Sequence, residues 1–102
     1  MKGKNMLTEL KQSEFTYKTV HEGGNIFIES EKKFKLSSVI YDEINGNWIL
    51  AVESKTPDYI YLTKDFEVIK VLSEDMGVMP NLIKSEDGRI WTIHLSPRKC
   101  VK

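Results

Sequence analysis

The stretch INGNWILAVES, residues 44–54, joins a turn dipeptide to an apolar run and decides the predicted fold. Asn45-Gly46 tolerates the positive φ angles of a tight hairpin turn, and residues 48–52 are apolar at every position. A strand that is apolar on both sides is expected to be covered on both faces. We therefore predict a hairpin whose second strand lies at the centre of a sheet.

Two other stretches repeat this order of turn and strand. They are GGNIFIES at residues 23–30 and DGRIWTIHLS at residues 87–96. In the second, Trp91, Ile93 and Leu95 are the consistently apolar positions, so we expect them to face the core. The alternate residues of that strand are then expected to meet water.

Period-two alternation begins at Phe15, and a further turn is predicted at residues 63–65. These patterns predict a mainly β protein, an antiparallel meander of about seven or eight short strands joined by tight hairpins. The predicted strands lie near residues 15–22, 25–30, 34–44, 47–54, 58–63, 66–72, 81–86 and 89–95. Apolar residues on one side of a helical wheel predict a single short helix before them, over residues 5–13.

The spacing of the turns also suggests a repeat. Gly46 and Gly88 lie 42 residues apart, and a four-stranded propeller blade takes roughly 40 to 45 residues. Over residues 38–102 the order of strand, Gly-containing turn and Trp-bearing strand resembles the blade repeats of β-propellers. The resemblance implies a blade-like unit that closes a ring by oligomerising. The alternative is that unrelated hairpins have the same turn chemistry.

Length and composition place the chain among globular proteins. A chain of 102 residues is one domain in size, and its 40% apolar and 29% charged residues are ordinary values. The first residues do not resemble a secretion signal, and the single Cys100 cannot form an internal disulfide, so we expect a cytoplasmic protein. Residues 1–102 are read as one domain that ends in a flexible basic tail, residues 97–102.

The sequence contains no pattern typical of catalysis, of a cofactor or of a metal. His21 and His94 are the two histidines, and neither has neighbours spaced as metal ligands or as an oriented catalytic partner. Acidic pairs lie at predicted strand ends, where they commonly form turns. We therefore expect a protein that is not an enzyme and holds no cofactor.

Two regions are predicted to contact a protein partner. One is the loop at residues 73–81, whose methionines are adaptable apolar contacts, and the other is the polar face of the last strand. The first hypothesis is a small non-enzymatic binding protein of accessory, immunity or inhibitor type, from a bacterium or phage. The candidate partner-binding residues are Met76, Val78, Met79, Arg89, Thr92 and His94.

Two alternatives remain. A homo-oligomer could bind a small ligand between subunits through Trp91, Tyr59 and His94, since interfaces favour aromatic residues. A nucleic-acid-binding accessory protein could combine the basic clusters at residues 31–35 and 97–102 with exposed aromatic rings. The formal net charge of zero favours neither nucleic acid nor an anionic membrane as a partner.

Overall fold

The structure, a computed structural model, describes residues 2–5, 10–74 and 80–94, with 2–5 and 94 described through their backbone alone. The described residues form ten strands and no helix. The strands are β1 (Lys2–Asn5), β2 (Lys11–Gln12), β3 (Tyr17–Glu22), β4 (Asn25–Ser30), β5 (Leu36–Asp42), β6 (Asn47–Val52), β7 (Asp58–Leu62), β8 (Val68–Ser73), β9 (Pro80–Lys84) and β10 (Ile90–His94).

All strand pairs are antiparallel, and they form three sheets. The largest has the order β2-β8-β7-β6-β5, in which four consecutive strands form a meander. The second has the order β1-β10-β9, and the third is the β3-β4 hairpin. The predicted class, a mainly β antiparallel meander of short strands, is confirmed.

The N-terminal prediction is tested less completely. Residues 6–9, the middle of the predicted helix, lie outside the described residues, as does the predicted tail at residues 97–102. On either side of residues 6–9 the chain is extended, in β1 and β2. These two strands were not predicted; β1 pairs with β10, and β2 pairs with β8.

The three predicted glycine turns differ in length. Gly23 and Gly24 both have positive φ angles and form the predicted two-residue turn between Glu22 and Asn25. Gly46, with a φ of 71°, instead ends a four-residue loop and donates from its amide to the Asp42 carbonyl at 2.8 Å. Gly88 also has a positive φ and lies in a longer loop. In both longer loops the glycine takes the left-handed position that follows the tight bend.

The five-stranded sheet is the middle of three layers, as the apolar run of β6 predicts. Ile49 and Ala51 point to one side, where they form a core with residues of β7 and of the three-stranded sheet. Leu50 and Val52 point to the other side and pack with residues of β7, β8 and the hairpin. Because side chains alternate along a strand, an unbroken apolar run supplies both cores.

The prediction for the faces of the last strand is wrong. Ile90 and Thr92 are buried, at 5% and 0% exposure, whereas Trp91 and Ile93 are only partly buried. Because side chains alternate along a strand, the burial of Ile90 and Thr92 places Trp91 and Ile93 on the opposite face. The inner face of β10 is therefore the one that bears Thr92. Trp91 lies on the outer face of the three-stranded sheet, directly opposite Ile83 of β9.

Candidate functional site

The hairpin layer covers one half of the five-stranded sheet and leaves the other half open. β3 packs against β8, and β4 lies further towards β6. Beyond β4, a groove of about 290 Å³ runs along the uncovered part of the sheet. Its lining residues are Ile26, Ile28, Leu36, Val39, Trp48, Leu50, Leu62 and Phe66.

Every residue that lines this groove is apolar, and three of them are substantially exposed. Val39 is 54% exposed, Ile26 38% and Leu36 37%. Isolated exposed apolar residues are ordinary in proteins, but residues from β4 and β5 here share one concave surface. A lining of this kind binds apolar side chains and offers no group for acid-base chemistry or for metal ligation.

One end of the groove is formed by a residue in an unfavourable backbone conformation. Phe66 has a φ of 67°, in the left-handed region that bulky residues avoid. The short turn from Thr63 to Glu67 imposes this angle: the Thr63 amide donates to the Glu67 carbonyl at 2.8 Å, and the Phe66 amide donates to the Thr63 carbonyl at 2.9 Å. Glycine or asparagine usually occupies such a position.

The ring of Phe66 forms part of an aromatic group. It stacks on Trp48 with ring centres 5.9 Å apart and planes 23° apart. The Tyr41 ring packs edge-on against Trp48, with ring centres 5.0 Å apart. The strained turn therefore holds a flat ring against the floor of the groove, and strain of this kind recurs at binding sites.

The edge of β4 beside the groove is a second unusual feature. β4 pairs with β3 on one side, and no strand of the described residues pairs with its other side. Edge strands are commonly protected by charged side chains, lysine above all, by proline or by a bulge. The sequence of β4, NIFIES, contains no lysine or proline, its register with β3 is regular, and its one charged residue, Glu29, pairs with Lys18 of β3 at 3.8 Å.

The β5 edge of the five-stranded sheet, in contrast, is protected. β5 has an irregular register between Leu36 and Ser38. The Ser37 hydroxyl donates to the Pro80 carbonyl at 2.9 Å, and the Ser38 hydroxyl accepts from the Leu82 amide at 3.1 Å. Two side chains thus join β5 to β9, so this edge is not available to a partner.

A buried polar cluster anchors the hairpin layer. Asp58 is 1% exposed and accepts hydrogen bonds from the Tyr17 hydroxyl at 2.6 Å and from the Ser13 hydroxyl at 2.8 Å. Lys32 lies 3.3 Å from the same carboxylate, and its ammonium group is 4.0 Å from the ring centre of Phe15. Burial, and then the bond to Asp58, raise the pKa of Tyr17 well above its ordinary value. These groups satisfy one another, as a structural anchor does.

A similar contact lies in the other core. The Tyr59 hydroxyl donates to the buried Glu74 carboxylate at 2.5 Å, and burial followed by this bond raises the pKa of Tyr59. Burial, helped by the charge of Asp42, raises the pKa of Tyr61 to about 12. Both tyrosines are core residues, at 0% and 4% exposure. Tyr59 was predicted to contact a small ligand, and its burial contradicts that assignment.

Of the other predicted contact residues, those whose side chains the structure describes do not line the groove. Met76, Val78 and Met79 lie outside the described residues, and of His94 the backbone alone is described. Arg89 is exposed and forms an ion pair with Asp87 at 3.4 Å. Thr92 is fully buried, so it is not available to a partner.

The residues that form the groove were not predicted from the sequence. Trp48 was assigned to the core, and Val39 and Phe66 were not singled out. An apolar residue directly after a Thr-Lys-Asp turn was the available signal for Phe66, since a three-residue hairpin loop ends in a left-handed position. Whether Val39 is covered depends on the position of the hairpin layer over the five-stranded sheet. The local sequence pattern of β5 contains no information about that position.

Comparisons with protein-family models, with curated proteins and with solved structures find no match to this chain. Among the described residues, no three His, Cys, Asp or Glu side chains are grouped so as to hold a metal ion. The same residues contain no helix of the length and apolar character that a membrane crossing requires. Fold and surface chemistry are therefore the basis for a proposal on function.

Proposed function

We propose that this chain is a small non-enzymatic binding protein that captures a protein partner in the apolar groove beside β4. The single observation that supports this is the concave surface on which exposed Val39, Leu36 and Ile26 surround the Trp48 and Phe66 rings. A partner that inserts apolar side chains there removes exposed apolar area from water. An accessory, immunity or inhibitor role in the cytoplasm of a bacterial or phage-infected cell belongs to the same proposal.

A protein partner suits the groove better than a small ligand does. Ligand pockets are usually about 300–1,000 Å³ and enclose most of the ligand. The groove is about 290 Å³ and open along one side. Its walls also lack the few polar groups that orient a small molecule. The residues earlier assigned to a ligand between subunits are dispersed, with Tyr59 in the core and Trp91 on an outer face.

Nucleic acid is disfavoured by the position of the aromatic rings. Stacking on bases needs exposed rings beside cations. Tyr61 is 4% exposed, and Phe34 meets Tyr17 edge-on at 5.3 Å inside the hairpin layer. Lys32 of the basic cluster already pairs with Asp58. Neither Tyr61 nor Phe34 is therefore an open stacking platform.

A photo-crosslinking residue placed at two exposed apolar positions tests the proposal. Val39 lies in the groove, whereas Ile83, 42% exposed, lies on the three-stranded sheet at the far side of the molecule. In cells that naturally contain the protein, we expect a discrete crosslinked partner from position 39 and none from position 83. Crosslinks from position 83 alone, or none from either position, would contradict the proposed function.

Affinity for the identified partner gives the quantitative check. Val39→Asp introduces a charge that must be desolvated on binding, so we expect at least a tenfold loss of affinity by calorimetry. Ile83→Asp is the matched control, with an expected change below twofold. Both positions are exposed, so neither variant should change the urea midpoint appreciably. Equal losses of affinity in the two variants would remove the groove from the interface.

A further inference from the structure

We infer that the partner segment binds as an added β-strand, paired through its backbone with the free edge of β4 and lying antiparallel to it. The inference rests on the proposed function and specifies the partner as an extended segment with alternating apolar residues. Strand addition to an exposed edge is a general mode of peptide recognition, in which the backbone gives affinity and alternate side chains give specificity. Three features of the groove support it.

The first feature is the direction of the backbone groups on β4. A two-residue turn makes Glu22 and Asn25 a hydrogen-bonded pair, so the amides and carbonyls of residues 25, 27 and 29 point towards β3. Those of Ile26, Ile28 and Ser30 then point away from β3, to the free edge. Ile26 and Ile28 also line the groove. Backbone donors and apolar walls therefore face the same incoming segment.

The second feature is the alignment of the hairpin with the sheet below. Tyr17 at the start of β3 bonds to Asp58, and His21 near its end lies 3.6 Å from Glu67. β3 therefore runs alongside β8, and β4 runs along the neighbouring strands. Packed sheets lie about 10 Å apart, with strands about 4.8 Å apart within a layer. One strand added beside β4 would lie above β5 and β6 and would cover Val39 and Leu36.

The third feature is that the five-stranded sheet extends past the free edge of β4, as far as β5. This extension limits which partners can pair with β4. A second copy joined antiparallel through β4 would bring its own β5 and β6 into the space that these strands of the first copy occupy. A single extended segment needs only the width of one strand. Pairing of two copies through β4 is therefore blocked, whereas a single extended strand of a different protein fits the available width.

The charges at one end of the groove orient this strand. The connector from β4 to β5 bears Lys33 and Lys35, which are exposed and form no ion pair within the part of the chain that the structure describes. Antiparallel pairing is slightly more stable per residue than parallel pairing, and an antiparallel strand starts at this end, because β4 finishes there. Acidic residues at the start of the partner segment, before the alternating apolar residues, complement these two cations.

A synthetic peptide provides the test on the full chain. The probe has two Asp residues followed by six residues that alternate Val and Thr, and binding is followed by the fluorescence of Trp48 in a Trp91→Phe background. Residues opposite Ile26 and Ile28 direct both their side chains into the groove and their amides at β4. N-methylation of the Val residues should therefore reduce affinity at least tenfold, whereas N-methylation of the Thr residues should change it less than threefold.

Two further comparisons complete the test. A peptide with the Asp residues moved to its C-terminal end should bind several-fold more weakly, and Val39→Asp should abolish the fluorescence change. Equal effects of the two N-methylated peptides, or no binding of the probe at millimolar concentration, would overturn strand addition. If position 39 still crosslinks to a partner in that case, the proposed function stands and the partner enters the groove in another form.

Discussion

The two faces of the five-stranded sheet differ in how much of them is covered. On the face of Ile49, Ala51 and Tyr59, a three-stranded sheet completes a core in which these residues are at most 1% exposed. On the other face, a two-stranded hairpin covers Ile60 but leaves Val39 54% exposed. The faces are similarly apolar, so the number of covering strands decides which residues become core and which become surface. One missing strand converts part of a core into a groove.

The largest expected effect is on the tyrosines under the covering layers. Burial keeps Tyr17, Tyr59 and Tyr61 neutral, with pKa values raised above the ordinary 10.0. Above pH 10.0 the unfolded chain releases protons that the folded chain retains, so the stability contributed by these hydroxyls is full below pH 10.0 and is lost as pH rises further. In an alkaline titration of a Tyr41→Phe variant, which leaves only these three tyrosines, we expect tyrosinate absorbance and loss of circular dichroism to change together. Ionisation of all three near pH 10.0 with the fold intact would show that the covers are loose.

The next effect compares the two faces directly by truncation. Ile49 is 1% exposed, and Ile49→Ala should lower the free energy of unfolding by about 2–5 kcal/mol, because it leaves a cavity. Val39→Ala, at a position 54% exposed, should change it by less than about 0.5 kcal/mol. Urea denaturation measures both. A loss of stability at Val39 comparable with that at Ile49 would mean that the groove is closed within the chain itself.

A smaller effect concerns the anchor of the hairpin layer. Tyr17→Phe removes one donor to the buried Asp58 carboxylate and should cost about 1–3 kcal/mol of unfolding free energy. Tyr41→Phe is the control, since the Tyr41 hydroxyl makes no hydrogen bond within residues 10–74 and 80–94. Thermal unfolding of the two variants should differ clearly. Indistinguishable melting temperatures would show that packing, rather than the polar cluster, holds the hairpin on the sheet.

At Phe66, two opposing changes are expected to cancel nearly completely. The left-handed conformation costs a residue with a side chain about 1–2 kcal/mol, and Phe66→Gly removes this cost. The same substitution also removes the ring that stacks on Trp48. The two changes oppose each other, so the net shift should be within about 1 kcal/mol. Phe66→Ala loses the ring and keeps the strain, and it should be the less stable variant in urea denaturation. Equal stability of the glycine and alanine variants would mean that the turn imposes no strain.

The sequence predicted the local parts of this fold well. All eight predicted strands are present, and β6 has the central position that its two-sided apolar pattern indicated. Turn chemistry placed Gly23-Gly24 correctly because a tight turn depends on the residues within it. The helix over residues 5–13 is interrupted by undescribed residues and stays a prediction. The blade-like repeat stays a hypothesis as well.

The candidate site was not predicted, for a reason that lies in its construction. The groove depends on the offset between two layers and on which strand of the hairpin lies outermost. Neither property is encoded in the period of a single strand. The assignment of Trp91 and Thr92 failed similarly, because the inner face of β10 is chosen by its partners β1 and β9. Local patterns were therefore sufficient to predict the strands, whereas the exposed surface depends on long-range packing.

The two serine hydroxyl contacts between β5 and β9 affect how easily this part of the fold opens locally. Ser37 and Ser38 join the two sheets through hydroxyl groups, whereas β6, β7 and β8 are joined by continuous backbone ladders. Breaking two side-chain bonds frees an edge at a lower free energy than breaking a ladder does. In native-state hydrogen exchange, the Leu82 amide, whose acceptor is the Ser38 hydroxyl, should therefore exchange before the ladder amides of β6 and β7, while the shared core keeps β9 and β10 on the sheet.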